Sequence, residues 1–190
     1  MKNIIIGGTV RSGKSTLAGL IHDKLKYSLV ESDTIVHAFN EVFPELGIIH
    51  RKPNLARENY KPFLFEILNG FCKSLKYNDN VTVFLGSQFL PEQIYEYPNK
   101  DKFIVIFLGM SDVEPMVLMK KIREMDEHHD WTRKRTDEQL LDNCKEIVSE
   151  SKKLKEDCQK FGFYYFDTFE NRQSVLEKIT KIIENENNIY

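Results

Sequence analysis

Residues 8–16 read Gly8-Thr9-Val10-Arg11-Ser12-Gly13-Lys14-Ser15-Thr16, directly behind the apolar run Ile4-Ile5-Ile6-Gly7. The pattern is G-x-x-x-x-G-K-[ST], with a short buried strand before it and helix-spaced Leu17, Leu20, Ile21 and Leu25 after it. Strand, loop and helix therefore fall in register for a phosphate-binding loop (P-loop). The glycines let the backbone curl so that successive N–H groups face a polyphosphate. Lys14 can reach the β and γ oxygens, and the Ser15 hydroxyl can ligate Mg²⁺. A helix starting near Ser15 adds its positive dipole end and unpaired amides. The expectation is a nucleoside triphosphate site with ATP and Mg²⁺ as its ligands.

A second group of candidates lies further along. Asp33 closes the segment Ser28–Asp33, so it is expected at the same sheet edge as the loop, with Glu31 on the same face by strand alternation. The third apolar segment ends Phe84-Leu85-Gly86-Ser87-Gln88 without a carboxylate, which leaves Asp33 as the candidate for a water-mediated Mg²⁺ contact. The competing reading of Asp33 is an N-cap for a helix from Thr34. His128-His129 lie beside Asp126 and Asp130 but lack i,i+4 spacing, so no metal site is assigned to them.

These residues need a scaffold, and strand-like and helix-like segments alternate as in an α/β domain with a mainly parallel sheet. Strands are expected over 2–7, 28–33, 80–86, 103–108 and 163–167. Helices are expected over about 14–27, 34–46, 55–76, 112–125, 137–161 and 171–185, with a short segment near 91–96. Pro44, Gly47 and Pro53 divide the second and third helices. Thr136-Asp137-Glu138-Gln139 has capping-box spacing. Leu140, Cys144, Ile147, Ser151, Leu154, Cys158 and Phe161 form a stripe that packs on the sheet or forms a subunit seam, which leaves monomer or homodimer open. The tail after Ile183 is expected to fray. One domain, residues 1–190, accounts for the whole pattern.

In this order of elements the chain resembles the small P-loop kinases of the nucleoside monophosphate kinase and shikimate kinase type. The N-terminal loop, two helices between strands two and three, and an Arg-bearing segment between strand four and the penultimate helix carry the resemblance. It covers nearly the whole length in layout, with only the loop specific at residue level. Ile122-Arg123, Asp130-Trp131-Thr132 and Asp137-Glu138 are also similar to runs in a wider group of kinase-like ATP-binding proteins. The resemblance implies a three-layer α/β/α P-loop fold with a five-stranded parallel sheet of order 2-3-1-4-5 and a helical lid. It also implies an acceptor-binding insert at 34–76 and a lid at 126–136.

In such kinases a carboxylate at the position of Asp33 binds the acceptor hydroxyl and takes its proton. An arginine at the position of Arg123 meets adenine or phosphate. Arg133 or Arg135 would close over the transferring group, although Arg133-Lys134-Arg135 also reads as a solvated charge run. Asp167-Thr168 would open the loop that packs on adenine. Trp131, the only tryptophan, would meet a ligand ring, an arginine face or the body of the protein. The insert offers His37, Asn40, His50, Arg51, Lys52, Arg57, Asn59 and Lys61, with Phe39, Phe43, Tyr60 and Phe63 as walls. Arg57 is the first choice for substrate binding, and Arg51, Arg57 and Lys61 would suit an anionic acceptor.

Other classes fit less well. Asn99-Lys100-Asp101-Lys102 lacks the spacing of a guanine-reading N-K-x-D, and the missing strand-three acid argues against a motor ATPase. A nucleoside monophosphate kinase would show an acid and an arginine around Gly86–Pro91, and both are absent. That favours a hydroxyl of a small metabolite as acceptor, with a nucleoside monophosphate as the alternative. A regulatory nucleotide-binding protein with little transferase activity is the rival from another class. With 27 basic and 29 acidic residues, net charge −2, there is no field to recruit nucleic acid. Three cysteines without C-x-x-C spacing, no apolar run near 18 residues and no cleavable leader point to a cytoplasmic protein with no membrane partner.

Overall fold

The computed structural model describes residues 1–49, 53–78, 80–128 and 130–187. Five parallel strands, β1 (Asn3–Gly8), β2 (Ser28–Glu31), β3 (Thr82–Leu85), β4 (Phe103–Gly109) and β5 (Tyr164–Asp167), form one sheet of order β2-β3-β1-β4-β5. The central strands β1 and β4 are buried along their full length, as expected of strands covered on both faces. Their register runs from Asn3 opposite Phe103 to Gly8 opposite Leu108.

The helices are α1 (Lys14–Leu25), α2 (Ser32–Val42), α3 (Pro53–Asn78), α4 (Pro91–Glu96), α5 (Pro115–Met125), α6 (Asp137–Phe161) and α7 (Arg172–Glu186). Alternation along β1 sorts the two faces, because successive side chains of a strand point to opposite sides. Ile4 and Ile6 pack with Leu17 and Ile21 of α1 and Leu176 and Ile179 of α7. Ile5 packs on the other face with Tyr60, Leu64 and Leu68 of α3 and Leu154 and Cys158 of α6. A smaller core joins Leu118 and Ile122 of α5 to Leu140, Cys144 and Ile147 of α6.

The α6 stripe is thus covered within the chain: six of its positions are buried and Phe161 is half-buried. Thr136 and Gln139 make the capping box at its start, and Gly162 (φ 76°) ends it. Cys72, Cys144 and Cys158 are buried free thiols, and burial pushes Cys158 up to about 12, well away from thiolate chemistry.

Several boundaries differ from expectation. β2 stops at Glu31 and α2 starts at Ser32, so Asp33 lies on a helical turn. The 34–46 stretch divides into α2 and a 3₁₀ turn at Pro44–Leu46. The helix expected from 112 begins at Pro115, and the polar 126–136 stretch contains a 3₁₀ turn at Trp131–Lys134. The C-terminal residues do not fray as far as 187. Asn187 is buried and accepts from Lys2 N (2.7 Å) while donating to Lys2 O (3.1 Å). Among the described residues, no helix is long and apolar enough to cross a membrane.

Candidate active site

The loop between β1 and α1 starts at a close backbone approach. A Cβ on Gly8 (φ 140°) would lie 2.1 Å from Leu108 O, and Thr9 N donates to that same carbonyl at 3.1 Å. Arg11 (φ 62°) and Gly13 (φ 92°) turn the chain through the left-handed region, so the amides curl inward. Ser12 Oγ donates to Thr9 O at 2.8 Å and is fully buried. No side chain caps α1, which leaves its first amides available to an anion. Lys14 folds back across the loop and donates to Thr9 O (2.7 Å) and Gly8 O (3.1 Å). Burial pushes Lys14 down to about 8, opposed by the charges of Asp33 and Glu150 and helped by Arg57. Ser15 and Thr16 are exposed at the open side of the loop, and exposed Val10 stands on its crest.

Three contacts brace this loop. Thr168, fully buried after β5, donates from Oγ1 to Ser12 O at 2.8 Å. Arg172, at the start of α7, lies against Gly13 and donates from Nη2 to Arg11 O at 3.1 Å. Burial, with Arg11 nearby, presses its pKa down. Thr9 Oγ1 lies 3.2 Å from Ser151 Oγ of α6, which also accepts from Met110 N at 2.9 Å. Ser151 and Arg172 were not singled out as site residues by the sequence. A polar position inside an apolar stripe and an arginine at a helix N-terminus, where the dipole disfavours it, were the available signals.

Asp33 occupies the first turn of α2, over the end of β3, because Gly86 leaves room for Ser32 against it. Ser87 Oγ donates to Asp33 Oδ1 at 3.4 Å. Asp33 thus stands beside the end of β3, where the sequence itself has no acid. Glu31 occupies the N-cap, so neither the N-cap reading of Asp33 nor its shared face with exposed Glu31 holds.

Beside Lys14 a cleft of about 610 Å³, open to solvent, runs between the loop, α3, the β3–α4 connection and α6. Arg57 lines it, donating from Nε to Ser87 O at 3.2 Å, with Nη2 4.0 Å from Glu150 Oε2. Glu58, Glu92, Lys153 and Asp157 line it as well.

The other insert candidates are used elsewhere. Lys61 pairs with Glu96, and Asn59 donates to Leu46 O and Gly47 O, each at 3.1 Å. Asn40 donates to Glu41 at 3.1 Å, and His37 is also close to Glu41. Phe39 packs on Phe63 (centroids 4.6 Å apart), Phe43 and buried Tyr60 as part of the scaffold. His50, Arg51, Lys52 and His129 lie outside the described residues.

On the opposite side of the loop Arg123 turns to Thr132, Arg135 and Asp137. It donates to Asp137 (2.9 and 3.2 Å), Thr132 O (3.0 Å) and Arg135 O (2.7 Å), and so folds the 126–136 segment onto α5. Arg133 is exposed and makes no side-chain ion pair among the described residues. Arg135 sits over the half-exposed Trp131 ring, 5.9 Å from its centroid. The P-loop residue Arg11 approaches the segment most closely, with Nη2 2.8 Å from Asp126 Oδ1 and Nη1 2.9 Å from Asp130 Oδ1.

Asp167 is a loop clamp, accepting from Ser111 N (2.6 Å), Ser111 Oγ (3.0 Å), Asp112 N (3.2 Å) and Phe169 N (3.0 Å). A narrow slot lies between Leu118, Ile122 and Met125 of α5 and Phe169, bordered by Arg11 and Arg172. Among the described residues no group of three His, Cys, Asp or Glu side chains could hold a metal by itself. The oxygens of Ser15 and Asp33 suit a hard cation that brings phosphate oxygens with it.

No known protein-family profile matches the chain, and no curated protein matches it either. Solved structures do. Shikimate kinase from Bacteroides thetaiotaomicron matches at TM-score 0.57 and 19% identity, over 99% of this chain and 99% of that one. A sugar kinase from a Janibacter species matches at 0.57 and 14%, over 97% and 95%. A gluconokinase from Sinorhizobium meliloti matches at 0.54 and 16%, over 97% of each chain. The chain has the three-layer fold of the shikimate kinase type of P-loop kinase, with the expected strand order.

Proposed function

We propose that the chain is an ATP-dependent phosphotransferase that moves the γ-phosphoryl group of Mg-ATP to a hydroxyl of a small metabolite. One observation carries the reading: Lys14, which with the open loop amides suits a polyphosphate, stands within electrostatic range of Asp33, and the loop residues Gly8 and Thr9 line an open cleft. The shared fold with proteins named shikimate kinase, gluconokinase and sugar kinase supports it.

In this reading the loop amides and Lys14 bind the β and γ phosphates, after Lys14 exchanges two loop carbonyls for phosphate oxygens. Ser15, and Asp33 through water, would hold Mg²⁺, which when bound offsets charge on the transferring group. The acceptor enters from the cleft and gives its hydroxyl proton to Asp33. Its oxygen forms the new bond to phosphorus as the bond to the ADP oxygen breaks. The slot beside Phe169, bordered by Arg11 and Arg172, has a volume of only about 20 Å³ and would have to widen to take an adenine ring. Arg123 acts here by shaping the lid, and Arg133 is the lid arginine left to approach the phosphates. Arg57 is the acceptor-side cation, oriented by Ser87 O and Glu150.

The experiment is ADP release from Mg-ATP with two acceptor panels, nucleoside monophosphates and small hydroxyl metabolites, and Lys14→Ala as blank. Stimulation by hydroxyl metabolites that vanishes in the blank is expected. Stimulation by monophosphates alone would move the acceptor to a nucleotide. Tight ATP binding with no stimulation by either panel would overturn the kinase reading in favour of a regulatory nucleotide-binding protein.

A further inference from the structure

A buried carboxylate joins the nucleotide loop to the segment expected to be its lid. Asp126, at the end of α5, has a side chain only 3% exposed. Its Oδ1 accepts from Arg11 Nη2 at 2.8 Å and from Thr132 Oγ1 at 2.5 Å. Arg123 Nη1 is 3.9 Å from Oδ2. Thr132 is itself fully buried in the 3₁₀ turn that carries Trp131 and Arg133. Asp130 completes the arrangement by pairing with Arg11 Nη1 at 2.9 Å and accepting from Glu127 N at 2.9 Å.

Arg11 is the unusual member. It sits at φ 62°, a conformation that L residues other than Gly, Asn and Asp adopt uncommonly, in the middle of the phosphate loop. Its two terminal nitrogens are directed at lid-side carboxylates. A guanidinium neutralised by two carboxylates adds little positive field for a polyphosphate, whereas a buried carboxylate that loses a partner is strongly disfavoured. The backbone conformation is therefore held by a charge network reaching from the loop to the lid.

We infer that Asp126 is a positioning residue that locks Arg11 to the 126–136 segment, so that Arg11 acts as a latch on the lid and not as a phosphate ligand. The consequence is mechanical. The base of the lid is fixed to the loop before nucleotide arrives, and Arg133 is carried on a turn whose placement depends on Asp126. The catalytic part of this inference rests on the kinase reading above, but the latch itself does not.

Two variants test it. Asp126→Asn removes the charge, and Arg11→Gly removes the latch with a residue suited to the same backbone conformation. Hydrogen exchange at the amides of Arg133 and Arg135 and the fluorescence anisotropy of Trp131 report the segment without any activity. Exchange should accelerate by about tenfold or more in either variant, with lower anisotropy, and the double variant should be no worse than either single one. In turnover, kcat should fall by about tenfold or more while KM for Mg-ATP changes by less than about threefold. Unchanged exchange and anisotropy in Arg11→Gly would overturn the latch. So would a tenfold or larger rise in KM for Mg-ATP at constant kcat, which marks Arg11 as a phosphate ligand. Absence of turnover in the parent protein would count against the kinase reading, while the exchange and anisotropy results would still decide the latch.

Discussion

Arg57 on α3 and Glu150 on α6 face one another across the cleft beside the phosphate loop, Nη2 to Oε2 4.0 Å. The guanidinium that the sequence suggested for an anionic acceptor is thus already opposed by a carboxylate, and its Nε is occupied by Ser87 O. Glu58, Glu92 and Asp157 stand on the same walls against one further cation, Lys153. With MgATP adding negative charge alongside, a carboxylate or phosphate on the acceptor would meet net repulsion.

Neutral or amine-bearing hydroxyl compounds should therefore be better acceptors than carboxylates or phosphates. Glu150 is about half exposed, so its effect on a bound anion is screened to about 1 kcal/mol, or about fivefold. Glu150→Gln should narrow the gap in kcat/KM between a neutral acceptor and its anionic analogue by about that factor. A preference for the anionic analogue in the unaltered protein would refute this account of the cleft.

Asp33→Asn should lower kcat by about 10²–10⁴ if the carboxylate takes the acceptor proton. Stability should hardly change, because an acid in the first turn of a helix contributes about 0.5 kcal/mol and Asn can still accept from Ser87. Ser87→Ala removes only an orienting bond of 3.4 Å, so a loss of tenfold or less is expected. Steady-state rates with thermal melts on both variants decide this. A loss of only a few-fold in Asp33→Asn would return the residue to a helix-terminus role.

The loop was legible in the sequence because its chemistry is local: nine consecutive residues between an apolar run and a helix pattern. The parallel α/β class followed from the alternation of elements, the strand order from the resemblance alone, and the α6 stripe from its spacing. Placement failed where distant segments meet. Nothing near Arg11 announces Asp126, 115 residues away, and Arg123 looks equally suited to phosphate or to the Thr132 and Arg135 carbonyls it holds. Asp33 was misplaced by two residues because Ser32 and Asp33 fit a helix start as well as a strand end. Gly86 resolves this only in three dimensions, by admitting Ser32 over β3.

Nucleotide affinity should depend on pH through Lys14. Burial holds its folded, nucleotide-free pKa down at about 8, and a bound polyphosphate raises it. Below about pH 8 the lysine is already charged, so affinity is flat. Above it, binding must take up a proton, and affinity should fall by up to about tenfold per pH unit. Titration calorimetry in buffers of different ionisation heat should show uptake approaching one proton near pH 9, and none in Lys14→Met. The same depression makes the charged lysine a cost to the folded state. The free protein should therefore gain stability as pH rises from about 8 toward 10.5, where the unfolded chain binds more protons.

Thr168 ties the β5–α7 connection to the underside of the loop, donating to Ser12 O at 2.8 Å and lying 3.2 Å from Gly109 O. Thr168→Val keeps the shape but removes the hydroxyl, so Ser12 O loses that donor while Gly109 O keeps the Thr168 amide at 2.9 Å. The cost should be about 1–3 kcal/mol, or a fall in Tm of about 2–10 °C for a chain of this size. Because Ser12 belongs to the loop, Mg-ATP affinity should fall as well, and Thr168→Ser should restore both. A lower Tm with unchanged affinity would mean that the loop keeps its curl through Arg172 and Ser151, and that Thr168 serves the fold alone.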